Sequence, residues 1–145
     1  MLYASFSLAQ TGNSRVDGLN TSYVKLAYQD VIDDAKLLLR KRNSLNEEEQ
    51  KEVYTKLAYS LFNTNDYKQA EVYFQNLLSF IQDDREDIDI LLKYAQVLAG
   101  NGKSTLASEI WNRYSDAIED NERAKDFAAL LKNTDPLTRN GGSFE

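Results

Sequence analysis

Three groups of residues have the types that chemistry uses. Gly102-Lys103-Ser104 imitates the end of a phosphate-cradling loop. That motif needs a Gly five residues before Gly102, where Val97 stands, and it must follow a strand, whereas a helical pattern precedes it here. The segment reads instead as a helix–turn–helix loop. Asp83, Asp84, Glu86, Asp87 and Asp89 offer oxygens to calcium, but they lack the Gly turn and the spacing of a calcium hand. Acidic residues ahead of a helix suit the positive pole of its dipole. Paired carboxylates (Asp33 with Asp34, Glu47 to Glu49) fall on polar helix faces, where nothing shifts them toward acid–base work. His and Cys are both absent, which removes imidazole catalysis, thiolate nucleophiles, disulfides and the usual zinc sites. No catalytic, cofactor-binding or metal-binding residue is assigned, and the chain is read as non-enzymatic.

Charge narrows the partners. The net charge of -6 repels phosphate backbones, so nucleic acid is not expected as a partner. The one basic cluster, Arg40-Lys41-Arg42, sits where it complements a helix C-terminus. The 145 residues fit one domain, 42% hydrophobic and 28% charged, an ordinary globular composition. A single Pro, Pro136, leaves long stretches open to uninterrupted helix.

The apolar start, Met1 to Ala9, ends in Ser7-Leu8-Ala9, the small-x-small pattern of a signal-peptidase site. It lacks a basic n-region and reads as the remnant of an export signal, with a disordered leader or a short packing segment as the other readings. No stretch is long enough to span a bilayer. Residues 10–20 are polar with two Gly and read as linker. The boundaries expected are 1–20 leader and linker, 21–132 helical domain, 133–145 linker tail.

Between the linkers, apolar residues recur at helical spacing. Tyr23, Leu26 and Ala27 mark a short first helix; Val31, Ala35, Leu38 and Leu39 mark a second. Asn46 with Glu49, or Ser44 with Glu47, has capping-box spacing and opens a helix carrying Tyr54, Leu57, Ala58 and Leu61. Asp66 with Gln69 opens the next, with Ala70, Tyr73, Phe74, Leu77 and Ile81. A helix with Leu91, Tyr94, Ala95 and Leu98 ends at Gly100-Asn101-Gly102. Ser104 opens another, with Ala107, Ile110, Trp111, Tyr114 and Ile118, and a last helix is expected at about 122–132 from Ala124, Phe127, Ala128 and Leu131.

These helices repeat. The spacing Leu57-Ala58…Leu61…Asp66-Tyr67…Ala70…Phe74…Leu77 recurs at Tyr94-Ala95…Leu98…Lys103-Ser104…Ala107…Trp111…Tyr114, and Tyr28…Val31…Ala35…Leu38 is a weaker first copy. Small residues, Ala58 with Ala70 and Ala95 with Ala107, let paired helices cross closely. Large ones, Phe74, Trp111 and Tyr54, are expected to fill the space between successive hairpins.

The pattern resembles the tetratricopeptide repeat over about residues 23–132. Ala58 and Ala95 stand where the consensus has Gly, and the usual Pro at each repeat end is missing. The resemblance implies an all-α, right-handed superhelical stack of helical hairpins, two and a half to three repeats plus a C-terminal capping helix. Leu26-Ala27-Tyr28…Val31-Ile32, Tyr54…Leu57-Ala58-Tyr59-Ser60-Leu61-Phe62…Asp66-Tyr67…Ala70 and Lys93-Tyr94-Ala95-Gln96-Val97-Leu98 further resemble the N-terminal repeat region of large OmpA-family outer-membrane-associated proteins. In that family the repeats precede a β-propeller and a peptidoglycan-binding domain, and some relatives serve type IX secretion and gliding. This implies a periplasmic, outer-membrane-associated module with no membrane span of its own; a cytoplasmic adaptor for short peptides is the alternative.

The register of the repeat puts Thr55, Lys56, Tyr59, Phe62 and Asn63 on the concave wall, joined by Lys93 and Gln96 of the next copy. Tyr59 and Phe62 stand off the Leu57–Ala58–Leu61 stripe, and half-exposed aromatics in a groove anchor a bound peptide or helix. A protein partner in this groove, with no cofactor, is therefore expected. The alternative is that these residues pack on the leader or on a neighbouring domain.

Overall fold

The structure, a computed structural model, describes residues 13–132, with side chains described to residue 122 and at Lys125. The described residues are all-helical, with no strand among them. Six α-helices follow in order: α1 (Ser14–Val24), α2 (Tyr28–Arg40), α3 (Glu47–Asn63), α4 (Tyr67–Leu78), α5 (Ile88–Gly100) and α6 (Ser104–Lys132). A 3-10 turn, Arg42–Ser44, links α2 to α3. Each helix packs on the next along the chain, and α3 also touches α1 and α5. The helices thus pair as three hairpins, α1/α2, α3/α4 and α5/α6.

The three hairpins close with one turn. Leu26, Asn65 and Gly102 each lie two residues before the second helix and have φ of 61°, 62° and 79°. The N–H of the following residue reaches back five positions in every case: Ala27 to Ser22 O at 3.0 Å, Asp66 to Leu61 O at 2.9 Å, Lys103 to Leu98 O at 2.9 Å. This is the left-handed closure that satisfies the last carbonyls of a helix. Gly adopts it freely and Asn tolerates it, whereas a Leu pays a steric penalty. Leu26 is also 65% exposed, so nothing apolar holds it there.

Caps open the helices. Of the two capping boxes that the spacing allowed, Asn46 with Glu49 forms: the Glu49 N–H donates to Asn46 Oδ1 at 2.8 Å and the Asn46 N–H to Glu49 Oε1 at 3.0 Å. Asp66 accepts from the Gln69 N–H at 3.2 Å. Ala58, Ala70, Ala95 and Ala107 are all buried, as close helix crossings require. Phe74 is fully buried and stacks on Tyr94 of the next hairpin, rings 5.7 Å apart and 12° from parallel.

Four expectations change. Residues 14–20, read as linker, form most of α1, whose buried residues are Val16 and Leu19. Two buried apolar positions among polar neighbours and Gly18 leave little period to detect. Tyr23, Leu26 and Ala27 therefore do not mark a helix of their own: Tyr23 is near the end of α1, and Leu26 is the turn. The separate helix expected at 122–132 is the continuation of α6, since Glu119-Asp120-Asn121-Glu122 holds no Gly or Pro to break it. Trp111, expected to fill the gap between hairpins, is 48% exposed and leans on Tyr114, ring centroids 5.0 Å apart. The leader reading at 1–9 and the tail at 133–145 lie outside the described residues.

Candidate partner-binding groove

The first helices of the hairpins, α1, α3 and α5, lie side by side and form one wall. Their adjacency brings together residues that the sequence spreads from Asn20 to Gln96. On α3 and α5, Lys93 sets its ammonium 4.8 Å from the centroid of the Tyr59 ring and 5.7 Å from that of Phe62. A cation over a ring face is held by the ring's quadrupole. The same ammonium pairs with Asp89 one turn earlier at 3.0 Å. The Tyr59 hydroxyl faces Asp89 as well. Burial, the hydrogen bond to Asp89 and that carboxylate's charge push the phenol well above its ordinary range. Burial alone would raise the Asp89 carboxyl, but the Tyr59 and Lys93 hydrogen bonds and the Lys93 charge together hold it below its usual value.

One turn from this cluster, where α1, α2 and α3 meet, a second one forms around Tyr23. Lys56 lies 4.9 Å over its ring, Tyr28 meets it edge-on at 5.7 Å, and the Asn63 side chain lies toward its hydroxyl. Burial first, then the neighbouring Tyr28, raise that phenol, and the Asn63 side chain offsets part of the rise. Asn20 of α1 adds a direct bond across the wall, Nδ2 to Glu52 Oε2 at 2.6 Å.

The expected groove residues therefore divide. Lys93, Tyr59 and Phe62 form one cluster; Lys56 and Asn63 belong to the other. Tyr59 and Phe62 are half-buried and lean on the core: Tyr59 lies 6.0 Å from Phe74, and Phe62 stacks on Tyr67 at 5.6 Å and 20°. Thr55 donates its hydroxyl to Lys51 O of its own helix at 2.7 Å. Gln96 is exposed on the wall. Thr55, Lys56 and Tyr59 border a cleft of about 320 Å³ between α3 and the start of α5, together with Ile90. Five carboxylates (Glu48, Glu52, Glu86, Asp87, Asp89) against two lysines (Lys51, Lys56) give that cleft an acidic balance. Lys51 bridges it, pairing with Asp87 at 2.8 Å.

Sequence reasoning missed Tyr23, Asn20 and Asp89. The signal was present for two of them. Carrying the 39-residue offset between Tyr28 and Tyr67 backward aligns Asn20 with Tyr59 and Tyr23 with Phe62, which makes α1 the first helix of a full hairpin.

Among the described residues, no group of three or more His, Cys, Asp or Glu side chains is placed to hold a metal, and no helix is long and apolar enough to cross a membrane. No family model, no curated protein and no solved structure matches this chain.

Proposed function

We propose that this chain is a non-catalytic protein–protein interaction scaffold of the tetratricopeptide type, holding a peptide or helix of its partner along the wall of α1, α3 and α5. The observation that carries the reading is the threefold use of one hairpin: the same left-handed turn at Leu26, Asn65 and Gly102, with three first helices aligned. Stacked hairpins of this kind present an extended face made of like positions, suited to an extended ligand. The acidic cleft between α3 and α5 favours a partner segment carrying Lys or Arg, whose binding weakens as salt rises.

The test uses surface positions, because Tyr59 and Phe62 support the core. Proteins captured from the native host by the wild type are compared with those captured by Gln96→Arg combined with Glu86→Lys, both exposed and both opposing a cationic segment, with melting temperature as the control. A partner lost from the double variant at unchanged melting supports the groove; equal capture rejects it. The periplasmic, outer-membrane-associated setting rests on the resemblance of the Leu26–Ile32, Tyr54–Ala70 and Lys93–Leu98 segments. The same scaffold would serve a cytoplasmic adaptor, and fractionation of the native host separates the two settings.

A further inference from the structure

We propose that copies of this chain stack head to tail, the Trp111 ring of one molecule entering the cleft between α1 and α2 of the next. This goes beyond the groove and does not depend on it.

The argument starts from register. Counting from the shared turns, Ala35, Phe74 and Trp111 hold one position on the second helices of the three hairpins, and Gly18, Leu57 and Tyr94 hold one position on the first helices. Inside the molecule these two positions face each other across a seam, as the stacked rings of Phe74 and Tyr94 demonstrate. Among the described residues, two members of the series have no partner across a seam: Trp111 on the last described hairpin and Gly18 on the first. Because α6 continues unbroken to Lys132, it does not turn back over Trp111.

The two ends differ in size in the sense that fits. Trp111 is the largest side chain of its series and is half-exposed. Gly18 is the smallest of its own, and a Cβ built on it meets nothing within 4 Å. Around it lies a cleft of about 530 Å³ bordered by Leu19, Leu37 and Leu38 with Arg15, Ser22 and Asp34, ample for an indole. Leu37 is 55% exposed at its rim. Large exposed apolar groups of this kind mark association sites when they have a complementary hollow. The lining charges balance, Arg15 against Asp34, so the hollow presents no net charge to an uncharged indole. The occupant this geometry selects is a second copy, because the contact repeats the molecule's own hairpin-to-hairpin seam. Such a contact joins unlike faces and propagates rather than closing into a symmetric pair.

Trp111 is the only tryptophan, so its emission reports the contact directly. Sedimentation velocity and Trp emission are followed for the 145-residue chain up to about 1 mM, the range where even a weak contact populates. The expected result is a rising sedimentation coefficient with a blue-shifted emission. Trp111→Ala removes the knob, and Gly18→Leu fills the hollow at a position open to a side chain; each variant alone stays monomeric. Their equimolar mixture restores one competent contact and gives a dimer of one of each, with the Trp111 of the Gly18→Leu chain blue-shifted. A wild type that stays monomeric over the whole range overturns the proposal. So does a Gly18→Leu chain that associates like the wild type, or a mixture that fails to pair.

Discussion

The seam between α2 and α3 and the seam between α4 and α5 share a backbone plan and differ in what fills them. Across the second seam, Phe74 stacks on Tyr94, the Tyr67 ring covers Gly100, and Glu71 accepts from Asn101 Nδ2 at 2.7 Å and from Lys103 Nζ. At the matching places of the first seam stand Ala35 for Phe74, Leu57 for Tyr94, Asn63 for Gly100 and Ile32 for Glu71. Ala35, Leu57 and Ile32 are all buried. One seam is aromatic with a charged clasp, the other aliphatic. The turn fixes the register within each hairpin, and the filling between hairpins is free to vary so long as each seam is filled. It follows that substitutions at equal register should have unequal effects, and that inequality is what experiments can break.

The largest contrast is at one register position. Phe74→Ala leaves a hole between α4 and α5 and should cost about 3–5 kcal/mol, as large-to-small changes in a closed core do. Trp111→Ala, at the same position but half-exposed, should cost about 0.5 kcal/mol in the monomer. Urea denaturation at low protein concentration measures both. Equal losses would mean that the second seam does not carry the fold.

This contrast also marks where sequence reading stops. The period of Leu57, Ala58, Leu61, Ala70, Phe74 and Leu77 identifies α3 and α4, and the Asn46 and Asp66 caps place their starts, because these signals are local. α1 was legible only through the 39-residue offset and not from its own pattern: only Val16 and Leu19 are buried, and its closure is a turn at Leu26 that Leu disfavours. Trp111 has the same spacing as Phe74, and spacing alone does not say whether a further helix covers it. Of the groove, the wall positions follow from register. The lysines over the rings do not, since Lys93 reaches Tyr59 and Phe62 across two helices and only the packed structure brings its ammonium there.

A smaller effect is expected at Gly100. A Cβ there would lie 2.6 Å from Cδ2 and 2.8 Å from Cε2 of Tyr67, closer than packed carbons approach. The Tyr67 ring is backed by Phe62 at 5.6 Å, so its retreat disturbs a stacked pair. Gly100→Ala should therefore destabilise by about 1–3 kcal/mol, the usual cost of overpacking. Asn63→Ala, its counterpart at the first seam, is exposed and should change stability by about 0.5 kcal/mol or less. A neutral Gly100→Ala would show that the Tyr67 ring moves freely and that the second seam is looser than its stacked rings imply.

The smallest effect concerns the charged clasp, and its sign follows from linkage. Burial alone would raise the Glu71 carboxyl, but hydrogen bonds from Lys103 and Asn101 and the Lys103 charge together hold it below its ordinary 4.5. A carboxylate whose folded pKa lies below its unfolded pKa contributes stability at pH values above the unfolded pKa. That contribution is lost as pH falls through the folded one. Glu71 also shares its depressed state with Asp83, Asp84 and Asp89, so the wild type should lose stability on acidification by several such increments. Glu71→Gln keeps the shape and removes one increment. Its stability should therefore fall less between about pH 7 and about pH 3 than that of the wild type, measured by urea denaturation at each pH. The first seam has Ile32 at this position and cannot contribute to the slope. If Glu71→Gln and wild type lose stability equally with acid, the second seam is held by its rings alone, and the two seams differ in the size of their filling rather than in charge.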